Sequence, residues 1–292
     1  MIEVKGIKKR FGQRHALRGV SFDVARGRVT GFVGANGAGK TTTMRIILGI
    51  MSLDAGEVTM DGRVASAIDR LRFGYMPEER GLYAKMRVAE HIAYLGSLRG
   101  MATAHARRST ALLIEQLDLQ PYANATIDTL SLGNQQRVQL AGALVHSPDV
   151  LILDEPFSGL DPFVSESIRA VLEDRAAGGA AILVSSHQLD LIDRICDDVV
   201  VLVNGEVRIA GDAAELARTV RGTEWALRFD GSTQWLHDSR AITVLDERRG
   251  VVRFVADPDD ARQILEAAVE MGEVISFGPA RSGLSYLLDA SA

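Results

Sequence analysis

The sequence predicts an α/β core followed by a small α+β domain. Three observations carry this. Short apolar, strand-like runs (VTGFV, VLILDE, AAILVSSH) recur between longer helical stretches. A glycine-rich turn joins the first of these runs to a helix. After about residue 220, strand-like EWALRFD, AITVLDE, GVVRFVA and EVISFG are interrupted by one helical run, DDARQILEAAVEMG.

The first element to justify is the turn within RVTGFVGANGAGKTTTMRIILGI. Val29 to Val33 is β-rich and apolar, Met44 to Ile50 has the content of a helix, and Gly34 to Gly39 connects them. GANGAGKT fits G-x-x-x-x-G-K-[ST] at Gly34, Gly39, Lys40 and Thr41. Such a loop lets backbone N–H groups converge on phosphate oxygens, and the helix that follows adds its positive dipole end. Gly34, Asn36, Gly37, Ala38, Gly39, Lys40, Thr41 and Thr42 are therefore expected to bind a nucleotide. Lys40 would reach the outer phosphates, and the Thr41 hydroxyl would hold Mg²⁺. Lysine occurs only at 5, 8, 9, 40 and 85 in a chain that otherwise uses arginine, so position 40 needs a compact ammonium.

The next elements lie in TLSLGNQQRVQLAGALVHSPDVLILDEPFSGLDP. Val150 to Leu153 reads as a buried strand that delivers Asp154 and Glu155 to a sheet edge. Asp154 is expected to hold Mg²⁺, and Glu155 to orient or deprotonate an attacking water. Upstream, LSLGNQQR resembles the signature sequence of the ABC-type ATPases, usually LSGGQ followed by Gln-Arg. Ser158-Gly159-Leu160-Asp161 is similar to that family's D-loop, and the strand ending at His187 to its switch-histidine strand. Phe11 matches the aromatic that stacks on adenine. With the phosphate loop and the acidic strand, six motifs in the family's order cover roughly residues 1 to 212.

The resemblance implies a P-loop NTPase core at 1–212, with an antiparallel β subdomain and a helical subdomain at about 84–146. It implies ATP and Mg²⁺ as ligands, with catalytic roles for Lys40, Glu155 and His187. Two ATPase domains would pair head to tail, as a homodimer or with a second ATPase subunit. Ser131, Gly133, Asn134 and Asp161 would then meet the partner's ATP. Ser131 and Gly133 precede an apparent helix, QQRVQLAGAL, whose N-terminus suits an anion. The helical runs VAEHIAYLGSLRG and ARRSTALLIEQLDL match the subdomain that contacts a separate membrane permease, though their apolar faces equally suit a core.

Composition agrees with a soluble protein. The 292 residues are 47% hydrophobic and 24% charged, and the net charge of −5 gives no footing for bulk nucleic-acid binding. No apolar run approaches the ~20 residues of a membrane-spanning helix. MIEVKGIKKRFG lacks a secretory core, so the chain is expected to stay in the cytoplasm, and the resemblance implies a peripheral place there on the inner face of a bacterial membrane. The single cysteine, Cys196, ends an apparent amphipathic helix and reads as a small buried hydrophobe.

NG at 204–205 between two strand-like runs signals a hairpin that closes the ATPase domain. DAAELARTVRG then reads as a helix and connector, and 220–292 as the accessory domain. This appendage resembles that of sodium-efflux and antibiotic-resistance exporter ATPases. The departures Leu132 and Asn134 from LSGGQ point to the same branch. The leading function is thus the ATPase subunit of an ABC exporter. An importer ATPase, a soluble ABC-type switch on ribosomes or DNA and a small-molecule P-loop kinase are the alternatives; the kinase leaves LSLGNQQR unexplained. Finally, GYMPEERGLY places Glu78 where the family commonly has glutamine near Mg²⁺. Glu78 is therefore a candidate anionic ligand. Glu79 and Arg80 would face the permease or solvent.

Overall fold

The computed structural model describes residues 1–187, 192, 194–219, 224–239, 241–248 and 250–280, with only the backbone for 162, 163 and 217–219. Part of the expected helix before Cys196, the connector at 220–223 and residues 281–292 lie outside the described residues. The chain divides into two compact units, Met1–Asp212 and Ala213–Ala292.

In the first unit, β1 (Ile2–Phe11) and β2 (Arg14–Val24) form a hairpin. Residues Ile2, Val4 and Ile7 of β1 are buried while Lys5 and Lys8 face water, the pattern of a sheet packed on one side. Strands β4 (Ala55–Met60) and β5 (Arg63–Val64) complete an antiparallel sheet of order β2-β1-β4-β5.

The second sheet carries β3 (Val29–Val33), β6 (Phe73–Met76), β7 (Val150–Leu153), β8 (Ala181–Ser186), β9 (Asp198–Val203) and β10 (Glu206–Asp212). Its order is β10-β9-β3-β8-β7-β6, with β9, β3, β8, β7 and β6 parallel. Strands β3, β7 and β8 are buried at every residue, which explains their continuous apolar runs. β10 returns antiparallel from β9 through Asn204 and Gly205, at φ 50° and 80°, the left-handed pair that a two-residue hairpin turn demands.

The helix after the glycine loop, α1, spans Lys40–Ile47. It starts a turn earlier than the apolar run Met44–Ile50 suggests, because Gly39 at φ 113° ends the loop and Thr43 Oγ1 donates to Gly39 O at 2.9 Å. Gly49 at φ 71° prevents its extension to Ile50. The short α2 spans Ala67–Arg70, capped by Ser66 and Asp69 acting reciprocally.

Both helical runs between Tyr83 and Leu130 fold as expected, as α3 (Val88–Leu98) and α4 (Thr103–Gln116). α5 (Leu132–Leu144) follows, and α6 (Pro162–Ala177) leads back to the sheet. A side chain at Gly142 would place its Cβ 2.5 Å from Leu95 Cδ1, so glycine permits the close approach of α3 and α5.

The second unit begins with α7 (Ala213–Thr219). Strand β11 (Glu224–Asp230), helix α8 (Gln234–Asp238), β12 (Thr243–Arg248), β13 (Val251–Val255), α9 (Pro258–Met271) and β14 (Glu273–Pro279) follow. The sheet order β12-β13-β11-β14 is antiparallel throughout, a split βαβ arrangement. Leu227, Phe229, Val252 and Phe254 alternate onto one face and are covered by Leu236, Ala261, Ile264 and Ala268. Helix α9 opens on Asp257, whose side chain accepts from the backbone N–H of Asp259 and Asp260. The short α8 was not expected from sequence.

Candidate nucleotide site

Parallel strands deliver the ends of β3, β6 and β7 to one edge of the core sheet, where α/β proteins bind ligands. There a cavity of about 480 Å³ is lined by Phe11, Asn36, Gly37, Gly39, Lys40, Thr41, Thr42, Glu78, Asp154 and Glu155, together with Arg14, Ala16 and Ala35. Residues separated by more than 140 positions thus meet around the glycine loop. Gly34 and Ala38 shape that loop from behind. A Cβ at Gly34 would sit 2.4 Å from Leu202 O, and Ala38 is buried.

The cavity's charges are held by one another. Lys40 is buried, and its Nζ donates to Gly34 O at 2.6 Å and lies 3.8 Å from Glu155 Oε1. Glu155 Oε2 lies 2.9 Å from His187 Nδ1. Glu155 is a non-glycine residue at φ 52°, which turns the chain sharply off β7. Ser185, on the neighbouring β8, serves both acids: its Oγ donates to Asp154 Oδ1 at 2.6 Å and accepts from Glu155 N at 2.8 Å.

The other Asp154 oxygen, Oδ2, is buried and has no hydrogen-bond partner among the described residues. An orphaned anionic oxygen in a cavity that also presents the Thr41 hydroxyl and the Glu78 carboxylate is an all-oxygen donor set, which fits Mg²⁺.

Ser131, Gly133, Asn134 and Asp161 do not line this cavity. Ser131 is exposed and caps α5, its Oγ accepting from Asn134 N at 3.4 Å. Gly133 faces Val164 and Leu160, and Asp161 Oδ1 accepts from Val164 N at 3.0 Å. Cys196 is buried. Arg80 is exposed, and its Nη1 donates to Gln135 Oε1 at 3.2 Å.

Sequence reasoning missed Ser185, Arg14, Gln136 and Gln139. Gln136 Nε2 donates to Pro156 O at 3.1 Å, and Gln139 Nε2 to Pro77 O at 2.6 Å. A buried glutamine within an otherwise apolar helix face is the one sequence signal that could have found the last two.

A phosphate loop and an acidic strand end lining one cavity, with a histidine bonded to the second acid, define a P-loop nucleotide hydrolase. Comparison with known proteins gives the family. A family model described as ABC transporter matches residues 17–158. The ABC transporter ATP-binding protein YhaQ of Bacillus subtilis (strain 168) is 34% identical over 278 residues, covering 95% of this chain and 93% of that protein. The Nod factor export ATP-binding protein I of Burkholderia lata is 32% identical, covering 98% of this chain and 92% of its own length. A solved structure of the ATP-binding subunit of an ABC transporter superposes with a TM-score of 0.69 at 32% identity, over 75% of this chain and 92% of the other.

The chain belongs to the ABC transporter ATP-binding family, as the resemblance implied. It is an ATP-binding and ATP-hydrolysing subunit, which sets aside the small-molecule kinase reading.

Proposed function

We propose that this chain drives export through a separate membrane permease by ATP-dependent pairing of two ATPase units at the inner face of a bacterial membrane. The observation that carries the catalytic reading is Glu155, whose carboxylate lies between Lys40 and His187 at the phosphate-loop cavity. Phe11, half exposed at the cavity mouth, stacks on adenine. The loop N–H groups and Lys40 take the phosphates. Glu155 orients and deprotonates the attacking water, and His187 holds the carboxylate in the orientation that accepts the proton.

Thr41, Asp154 and Glu78 are the residues that would hold Mg²⁺, which when bound neutralises phosphate charge. Ser131, Gly133 and Asn134, at the exposed start of α5, meet the γ-phosphate held by the other ATPase unit, with Asp161 beside them. Export is supported by likeness to the Nod factor export protein along nearly the whole chain. Exposed Tyr83, Tyr94 and Leu98 support the α3 face as the permease contact. No described helix is long and apolar enough to cross a membrane. Residues 1–212 constitute the motor with its helical subdomain near 84–146, and 220–292 an accessory domain that supports the dimer.

The test is Glu155→Gln in the full-length chain. With ATP and Mg²⁺ it should accumulate as a dimer by light scattering and lose turnover by about a hundredfold or more. Turnover at the unsubstituted rate would remove Glu155 as the base.

A further inference from the structure

Helix α5 does more than present Ser131 at its start. Gln136 and Gln139 lie one turn apart on its buried face. Gln136 Nε2 reaches Pro156 O at 3.1 Å and Glu155 O at 3.4 Å. Gln139 Nε2 reaches Pro77 O at 2.6 Å. One helix therefore grips the backbone beside both loop acids, Glu155 and Glu78.

The Pro77 bond is the more informative. Strand β6 ends its pairing at Met76, opposite Leu153, and Asp154 N takes Met76 O at 2.8 Å. The next carbonyl, that of Pro77, has passed beyond the ladder and needs another donor. Gln139 supplies it one residue before Glu78, whose side chain is exposed to the cavity.

We propose that Gln139 is a positioning residue: it fixes Pro77, and through it the Glu78 carboxylate, relative to the divalent-cation side of the nucleotide site. This rests on the reading of Glu78 as a Mg²⁺ ligand.

The experiment measures the affinity of the full-length chain for a fluorescent ATP analogue, once in EDTA and once in excess Mg²⁺. Gln139→Met keeps length and burial but removes the donor, and Gln139→Leu is its companion should Met fill the space differently. Either should reduce the Mg²⁺-linked gain in affinity by about threefold to tenfold, the worth of one buried hydrogen bond, with affinity in EDTA within about twofold. Glu78→Gln should reduce the same gain.

If Glu78→Gln reduces the gain and both Gln139 variants leave it intact, the positioning role is overturned while Glu78 keeps its own. If none of the three alters it, the Glu78 reading fails and this proposal with it. Equal weakening in EDTA and in Mg²⁺ would make the Gln139 bond a purely structural contact and also overturn the proposal.

Discussion

His187 Nδ1 lies 2.9 Å from Glu155 Oε2, bringing the end of β8 against the turn that follows β7. The histidine is half exposed and the glutamate buried, so the imidazole forms the solvent-side wall of the carboxylate. His187→Ala should therefore lower kcat by about tenfold to a hundredfold with little change in the ATP concentration giving half-maximal rate. Steady-state turnover over a range of ATP concentrations checks this. A change confined to KM would place His187 in ATP binding instead.

Ser185 holds both acids with one hydroxyl. Ser185→Ala frees Asp154 Oδ1 and leaves Glu155 N without its acceptor, while the volume change is minor. The Mg²⁺ concentration for half-maximal turnover should rise by about tenfold, the effect expected when the partner of a metal ligand is removed. Ser185→Thr should restore much of it if the hydroxyl alone matters.

Phe11 sits at the mouth of the cavity on the first hairpin, 48% exposed. Its ring has room to stack on a base. Phe11→Ala should weaken ATP and ADP binding alike by about fivefold to tenfold, and Phe11→Trp should not. Isothermal titration distinguishes this from a phosphate effect, because binding of inorganic triphosphate should be unchanged.

His146 introduces a pH dependence unrelated to catalysis. Burial, together with the Arg99 charge, lowers its pKa from 6.5 to about 4. The folded state holds it neutral, whereas the unfolded chain takes up a proton below about pH 6.5. Its contribution to stability is thus fully present above that pH and lost as pH falls toward 4. His146→Gln removes this penalty, so the variant's melting temperature relative to the parent should improve from pH 7 to pH 4.5. A difference independent of pH would show that the folded imidazole takes up its proton at the same pH as in the unfolded chain, so that burial does not lower its pKa.

The elements legible in the sequence are those whose chemistry is local. The glycine loop, the acidic end of β7 and the Asn204-Gly205 turn each write their geometry into adjacent residues. Strands β11, β12, β13 and β14 and helix α9 are likewise marked by their period. What stayed hidden is tertiary. Ser185 is one of two serines ending an apolar strand, and nothing near it says that it faces Asp154. Gln139 shows its partner only once β6 and α5 are side by side. Arg80 has the sequence of a surface residue, yet it reaches Gln135 across 55 positions. α8 is five residues long, too short for helical periodicity to declare itself.

Glu155 occupies left-handed backbone space that an L-residue enters at a cost of about 1 kcal/mol or more, and glycine enters freely. A laboratory selection for heat resistance alone would therefore favour Glu155→Gly, along with Glu155→Asn to a lesser degree, and would reward the loss of the base. Thermostable variants of this chain obtained without an activity screen should be sequenced at position 155 first, because there durability and turnover pull in opposite directions.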